Sequence, residues 1–160
     1  MVTLKTNDTA PDFLLGDALG RHWSLKDFSG GKLILYFYPA ASTPGCTIEA
    51  VDFTASRDAF AAAGYQIVGI SPDAPEKLAR FIDNNSLTVT LLSNEDKSVL
   101  QAYGAWGTKT LYGKQMEGVI RSTFVLDVDA TGVGVVTIAQ YNVKATGHVE
   151  RLAKLLGVIK

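Results

Sequence analysis

The stretch LILYFYPAASTPGCTIE, residues 33–49, decides the fold. Its first six residues are apolar or aromatic, which predicts a buried central strand over 33–38. Pro39 and the turn-forming residues 42–45 then interrupt the chain, and a helix is predicted from about Cys46 to Ala63. Apolar residues recur along this helix at steps of three and four, so its buried face is predicted to hold Ile48, Val51, Ala55, Ala59 and Ala62. A buried strand followed by a turn and a helix is typical of an α/β domain.

Strands and helices are predicted to alternate along the rest of the chain. The strands are expected at 65–70, 89–92, 122–127 and 133–141, the helices after Asp73, at 97–103 and at 146–156, and a surface loop at 104–118. Asp73 is predicted to be the N-cap of its helix, with Pro75 in the first turn and Glu76 at the capping-box position. Because there is no internal repeat or linker, residues 1–160 are predicted to form one domain.

Composition excludes several classes of function. Hydrophobic residues make up 47% of the 160 residues and charged residues 19%, which is typical of a globular protein. The formal net charge is -1 and no basic stripe is present, so neither a nucleic acid nor an acidic membrane surface is expected as a partner. The first residues, MVTLK, lack the basic and apolar regions of a signal peptide, so a cytoplasmic location is predicted.

The chain has one cysteine, Cys46, and two histidines, His22 and His148. One cysteine excludes an intramolecular disulfide and a multi-thiolate metal site. The histidines lie far apart in sequence, so we interpret them as turn or helix-start residues rather than as metal ligands or bases. No glycine-rich phosphate loop lies between a strand and a helix, and no metal or cofactor is expected.

The neighbours of Cys46 indicate a reactive thiol. A lone cysteine is usually a small, buried and inert side chain. Cys46, however, follows a Thr-Pro-Gly turn and begins a helix, where backbone N–H groups are unpaired and the helix dipole is positive. Such an environment favours the thiolate, so we expect Cys46 to be exposed and nucleophilic.

The motif around Cys46 resembles that of a known enzyme family. Pro39-x-x-x-Thr43-x-x-Cys46 is similar to the active-site motif of peroxiredoxins, and residues 43–49 resemble the Q-type branch, also called bacterioferritin comigratory protein. Further landmarks of that branch occur at 10–13 and 121–125. The resemblance implies a thioredoxin-like α/β fold, with a central mixed β-sheet and helices on both faces. It also implies a thiol-dependent peroxidase that reduces hydrogen peroxide and organic hydroperoxides to water or alcohols.

The resemblance assigns roles to single residues of the motif. Cys46 matches the peroxidatic cysteine, Thr43 the hydroxyl residue that holds the peroxide, and Pro39 the residue that shields the pocket wall. The backbone N–H groups of Gly45 and Cys46, together with the Thr43 hydroxyl, are candidate donors to the departing oxygen.

Two charged residues have competing interpretations. Arg121 matches the family's arginine that reaches the thiolate, whereas the residues alone indicate a solvated charge at a strand edge. Glu49 lies one helical turn after Cys46 and could orient Arg121, or it could be a first-turn carboxylate that interacts only with the helix dipole.

The sequence departs from the family at the second cysteine. Q-type members commonly carry a resolving cysteine five residues after the peroxidatic one, and here that position is Val51. The resemblance therefore implies that the Cys46 sulfenic acid is reduced by an external thiol, which is thioredoxin, a glutaredoxin-like protein or a low-molecular-weight thiol. A monomer is expected, because the branch that the chain resembles favours it.

Two other functions compete with the peroxidase. A cysteine hydrolase needs a histidine partner, and nothing in the sequence places His22 or His148 beside Cys46. A thioredoxin-fold binding or chaperone module with little turnover is the second alternative. The intact set of Pro39, Thr43, Cys46 and Arg121 argues against it, because such sets act as units.

Overall fold

The fold is built on one mixed sheet of seven strands. The computed structural model describes residues 3–111 and 113–158. The strands are β1 Leu15–Asp17, β2 His22–Trp23, β3 Lys32–Phe37, β4 Tyr65–Ser71, β5 Thr90–Ser93, β6 Trp106–Leu111, β7 Lys114–Val119, β8 Ser122–Val128 and β9 Gly134–Gln140. The seven-stranded sheet has the order β2-β1-β5-β4-β3-β8-β9, and β6 pairs with β7 in a separate hairpin. Strands β3, β4 and β5 are parallel, while β8 and β9 add antiparallel strands on the other side of β3.

Helices cover both faces of this sheet. They are α1 Pro44–Ala62, α2 Pro75–Asn85, α3 Ser98–Ala102 and α4 His148–Leu155, with a 3-10 helix at Leu25–Phe28. Buried residues of α1, α2 and α4 share one core cluster, and those of α3 and the 3-10 helix share the other. The predicted mixed sheet with helices on both faces is therefore confirmed.

Strand β3 lies in the middle of the sheet and is buried on both sides. Leu33, Leu35 and Phe37 pack in one core, whereas Ile34 and Tyr36 pack in the other. Side chains alternate between faces along a strand, and a strand covered on both faces is continuously apolar. This explains the apolar run at 33–38, which leads directly into the loop before α1.

Helix α1 differs from the prediction in its start and in its buried face. It begins at Pro44 with Thr43 as the N-cap, since proline is favoured in the first turn. The predicted apolar face was wrong: Ile48 and Val51 are exposed, as are Ala55, Ala59 and Ala62. The buried positions are instead Cys46, Glu49, Ala50, Phe53 and Phe60. The buried face of α1 contains a carboxylate. A search for apolar residues at helical spacing cannot predict it.

The predicted surface loop at 104–118 was also wrong. Its residues form the antiparallel hairpin of β6 and β7, with Trp106 opposite Val119. Gly113 follows β6 with φ +76, a conformation that glycine adopts without strain. Two residues that include a glycine between two strands are typical of a tight hairpin. Tyr112, the first of them, lies outside the described residues.

Asp73 does not cap α2 as predicted. The N-cap is Ala74, and Pro75 begins the helix as expected. The buried Asp73 carboxylate instead accepts a hydrogen bond from the Ala41 N–H at 2.7 Å and from the Ser71 hydroxyl at 2.8 Å. Asp73 therefore fastens the loop before α1 to the end of β4.

Within residues 3–111 and 113–158, no helix is long and apolar enough to cross a membrane. That residues 1–160 form a single domain stays a prediction.

Candidate active site

Cys46 lies in the first turn of α1, on its buried face. Only 1% of the residue is accessible, so the expected exposure of the thiol was wrong. The side chain belongs to the core cluster that α1 shares with β3 and α4. Its position at the helix N-terminus nevertheless places it near the unpaired N–H groups of the first turn and the positive end of the dipole.

Arg121 lies immediately before β8 and contacts the thiol. Its Nη2 is 3.2 Å from the Cys46 Sγ, and its Nη1 is 2.6 Å from Glu49 Oε1. Burial opposes the guanidinium charge, but the negative charges of Glu49 and Cys46 outweigh it, so the pKa of Arg121 is raised above its ordinary value. Only 15% of the side chain is accessible, and the interpretation of Arg121 as a solvated strand-edge charge is wrong.

Glu49 is fully buried and uses both carboxylate oxygens. Oε1 accepts from Arg121, while Oε2 lies 2.8 Å from Nδ1 of His148. A buried carboxylate is stable only when it is paired, and here two partners pair it. Glu49 is therefore more than a first-turn carboxylate, because it fixes the position of the guanidinium.

The histidines have different environments. His22 lies in the short strand β2 rather than in a turn. His148 is the first residue of α4, as the helix-start interpretation predicts, and 2% of it is accessible. Its Nε2 is 3.3 Å from the Thr123 Oγ1, so a continuous series of contacts runs from Cys46 through Arg121, Glu49 and His148 to Thr123.

Thr43 belongs to a tight turn before Cys46. Its hydroxyl donates to the Ala40 carbonyl oxygen at 2.8 Å, and its own carbonyl accepts from the Thr47 N–H at 2.9 Å. Because this proton is engaged, the prediction that the Thr43 hydroxyl donates to the departing oxygen does not fit the structure, and the Thr43 oxygen can accept a hydrogen bond instead. Ser42 has φ +68, a left-handed conformation that is uncommon for a residue other than glycine.

Gly45 lies beside the guanidinium of Arg121. A Cβ at position 45 would lie 3.4 Å from the Arg121 Nη2 and 3.5 Å from the Ala145 Cβ, which are ordinary van der Waals distances. Pro39 is half-buried and follows Tyr38, which is fully buried.

Two tyrosines, Tyr36 and Tyr38, belong to the same core cluster as Cys46. Tyr36 stacks on Phe53 with ring centroids 4.7 Å apart, and the ring of Tyr38, the residue that follows β3, lies with its centroid 5.5 Å from that of Tyr36. Burial raises the pKa of both phenols well above the ordinary value, and the nearby negative charges add to the effect. Both phenols therefore stay protonated, and neither can serve as a base.

No site for a metal ion is evident in the described part of the chain. Among residues 3–111 and 113–158, no three side chains of the types His, Cys, Asp and Glu group closely enough to hold one.

Sequence and structural relatives identify the class of protein to which this chain belongs. The chain belongs to the AhpC/TSA family, whose model matches residues 6–133. A Mycobacterium tuberculosis protein named as a peroxiredoxin is 56% identical over 97% of this chain and 96% of its own length. Peroxiredoxin Bcp of Escherichia coli is 44% identical over 81% of this chain and 83% of its own.

A solved structure supports the same class of protein. Xanthomonas campestris bacterioferritin comigratory protein, described for its alkyl peroxide reduction activity, superposes with a TM-score of 0.81. It is 33% identical and covers 91% of this chain and 90% of its own. The Q-type resemblance drawn from the motif is thus confirmed, and the chain is a thiol-dependent peroxidase of the peroxiredoxin class.

Proposed function

We propose that Cys46 is the nucleophile that reduces hydrogen peroxide and organic hydroperoxides. The observation that carries this proposal is the 3.2 Å contact between its Sγ and the Arg121 Nη2. The thiolate attacks one peroxide oxygen, an S–O bond forms and the O–O bond breaks. The departing oxygen takes a proton, which leaves a Cys46 sulfenic acid and water or an alcohol.

The other motif residues are proposed to bind the peroxide and to stabilise the departing oxygen. The Thr43 oxygen accepts the peroxide O–H, since its own proton is engaged by Ala40. Arg121 Nη2 and the N–H groups of Gly45 and Cys46 donate to the oxygen on which negative charge develops. Pro39 shields the thiolate side of the pocket from water. Together these groups stabilise the transition state more than the bound substrate, and only such interactions accelerate the chemical step.

The return step is proposed to need an external thiol. Cys46 is the only cysteine of the chain, so no internal thiol can condense with its sulfenic acid. An external thiolate attacks the sulfenic sulfur, the S–O bond breaks, and the departing hydroxide takes up a proton to leave as water, which gives a mixed disulfide. A second thiol then attacks the external sulfur of that disulfide and restores the Cys46 thiolate. Thioredoxin, a glutaredoxin-like protein and a low-molecular-weight thiol can all supply these two thiols.

Mass spectrometry after one equivalent of peroxide tests this cycle. We expect the chain to gain one oxygen atom at Cys46 and to keep it until a thiol is added, because no second cysteine is present. Addition of dithiothreitol, thioredoxin or glutathione in separate samples then identifies which thiol removes it. Excess peroxide should add a second oxygen, as a sulfinic acid. A binding or chaperone module would instead show no peroxide consumption with dithiothreitol present.

Val51→Cys tests whether the helix limits the chain to external thiols. The two cysteines would be separated by about 140° of rotation and about 7.5 Å along the axis of an intact helix. A disulfide usually needs Cα atoms within about 4.4–6.8 Å, so the first turns of α1 must unwind. We expect this variant to form the bond after oxidation, to resist sulfinic acid formation and to lose helicity.

Peptide mapping without reductant detects the disulfide, and circular dichroism measures the loss of helicity. Ala59→Cys is a matched control, because Ala59 is also exposed on α1 but lies about 20 Å along the helix axis from Cys46, too far for a bond. If the thiol introduced at position 51 stayed free beside an oxidised Cys46, α1 would be too stable to open.

We propose that the protein is a monomer and that it is located in the cytoplasm. Cys46, Arg121, Glu49 and His148 all come from one chain, so the site is complete in a monomer. The cytoplasm keeps thiols reduced, which is what a cycle that depends on external thiols requires. Sedimentation at micromolar concentration tests the first proposal, and cell fractionation tests the second.

A further inference from the structure

We infer that His148 is a positioning residue of the peroxidase, which acts through Glu49 to leave one side of the Arg121 guanidinium free for the sulfur. The inference rests on the proposed role of Cys46 and Arg121. His148 does not contact the thiol, so it is not a catalytic residue. It is separated from Glu49 by 99 positions in sequence, and only the fold brings them together.

The starting point is the way in which Glu49 and Arg121 pair. Arginine and carboxylate groups frequently pair through two parallel hydrogen bonds. Here a single carboxylate oxygen, Oε1, accepts from Nη1 at 2.6 Å, and Nη2 is directed to the Cys46 Sγ at 3.2 Å. A doubly bonded pair would engage one of the two N–H groups of Nη2 and align the guanidinium plane with the carboxylate, which leaves only the other N–H for the sulfur.

His148 prevents that second bond by occupying the other oxygen. Its Nδ1 lies 2.8 Å from Glu49 Oε2. A carboxylate only accepts hydrogen bonds, so Nδ1 carries the proton. Because Oε2 is held by the imidazole, the carboxylate cannot rotate to present both oxygens to Arg121.

The imidazole is itself held on three sides. Nε2 contacts the Thr123 hydroxyl at 3.3 Å, and the ring meets Phe53 edge to face with centroids 5.7 Å apart. Its backbone begins α4, whose residues Val149 and Leu152 are buried in the core. A histidine that is 2% accessible and fixed in this way is a rigid support for Glu49.

Two amide substitutions separate this role from a structural one. In His148→Asn the amide nitrogen lies close to the position of Nδ1 and can donate to Glu49, whereas in His148→Gln it lies close to Nε2 and reaches Thr123 instead. We expect His148→Gln to slow the oxidation of Cys46 by about 10-fold, the lower end of what loss of such an outer partner costs in metal sites. His148→Asn should recover most of that loss.

The measurement is the single-turnover rate of sulfenic acid formation, with thermal unfolding of each variant as the measure of stability. The same His148→Gln change is repeated in a Glu49→Gln background, where there is no carboxylate for the histidine to restrain. We expect its effect there to fall below about two-fold, because residues that act through one another are non-additive.

Three results would overturn the inference. The first is that His148→Gln oxidises at the wild-type rate. The second is that His148→Asn is as slow as His148→Gln although the two variants are equally stable. The third is that His148→Gln lowers the rate by the same factor in the wild-type and Glu49→Gln backgrounds. None of them would affect the proposed function, which fails only if Cys46 itself is not oxidised by peroxide.

Discussion

Cys46→Ser is expected to abolish peroxide reduction while leaving the fold intact. A serine hydroxyl does not ionise to a useful extent at neutral pH, and oxygen cannot form the sulfenic acid on which the cycle depends. The substitution is nearly isosteric, and the neighbours of position 46 in the core need not move. Peroxide consumption with dithiothreitol as the reductant measures the loss, and circular dichroism reports the fold.

Cys46→Ala is the matched control for this variant. It removes the sulfur without placing a new hydroxyl beside Arg121, so the two variants should be equally inactive. Substantial turnover by either would show that this thiol is not the nucleophile.

The second large effect is expected from Arg121. Loss of a positioned donor to a developing oxyanion typically costs about 10²–10³ in rate, so Arg121→Met should slow the oxidation of Cys46 by that factor. The structure adds a complication, because this change also leaves the buried Glu49 carboxylate without its cation. Breaking a buried ion pair from one side costs about 3–5 kcal/mol of stability.

The effect on rate can be separated from the effect on stability. The comparison is made between Glu49→Gln and the double variant Glu49→Gln/Arg121→Met, since neither leaves an unpaired buried carboxylate. Arg57→Met removes an exposed arginine from α1 and should leave the stopped-flow rate at the wild-type value. If folded Arg121→Met oxidised Cys46 within about two-fold of wild type, Arg121 would have no part in the chemistry.

The sequence predicts the central elements because they obey simple patterns. Strands at 33–38, 65–70 and 122–127 are apolar runs of the length of a strand, and the structure places strands there within a residue or so at each end. The motif around Cys46 likewise identifies the family from contiguous residues. Both kinds of signal are local, and a local signal is what a single sequence contains.

The errors arise where tertiary contacts decide. Glu49 is counted as exposed in any apolar pattern, yet Arg121 and His148 pair it in the core, and the predicted face of α1 is therefore misplaced. His148 could not have been assigned to the network, because its only signal is its position at the start of a helix. The hairpin of β6 and β7 is polar, and the Tyr112-Gly113 pair was the one signal that could have revealed it.

The left-handed Ser42 affects the second half of the catalytic cycle. Cys46 is only 1% accessible, so its sulfur offers an external thiol almost no surface to attack. On the proposed cycle, the turn at 40–43 and the start of α1 are therefore expected to open before an external thiol can react. Holding a non-glycine residue at φ +68 costs about 1–2 kcal/mol, and the open chain no longer bears that cost. The open form is thereby about 5- to 30-fold more populated than it would be from an unstrained turn. On the proposed cycle, the strain at Ser42 is expected to favour the open form with which the reductant reacts.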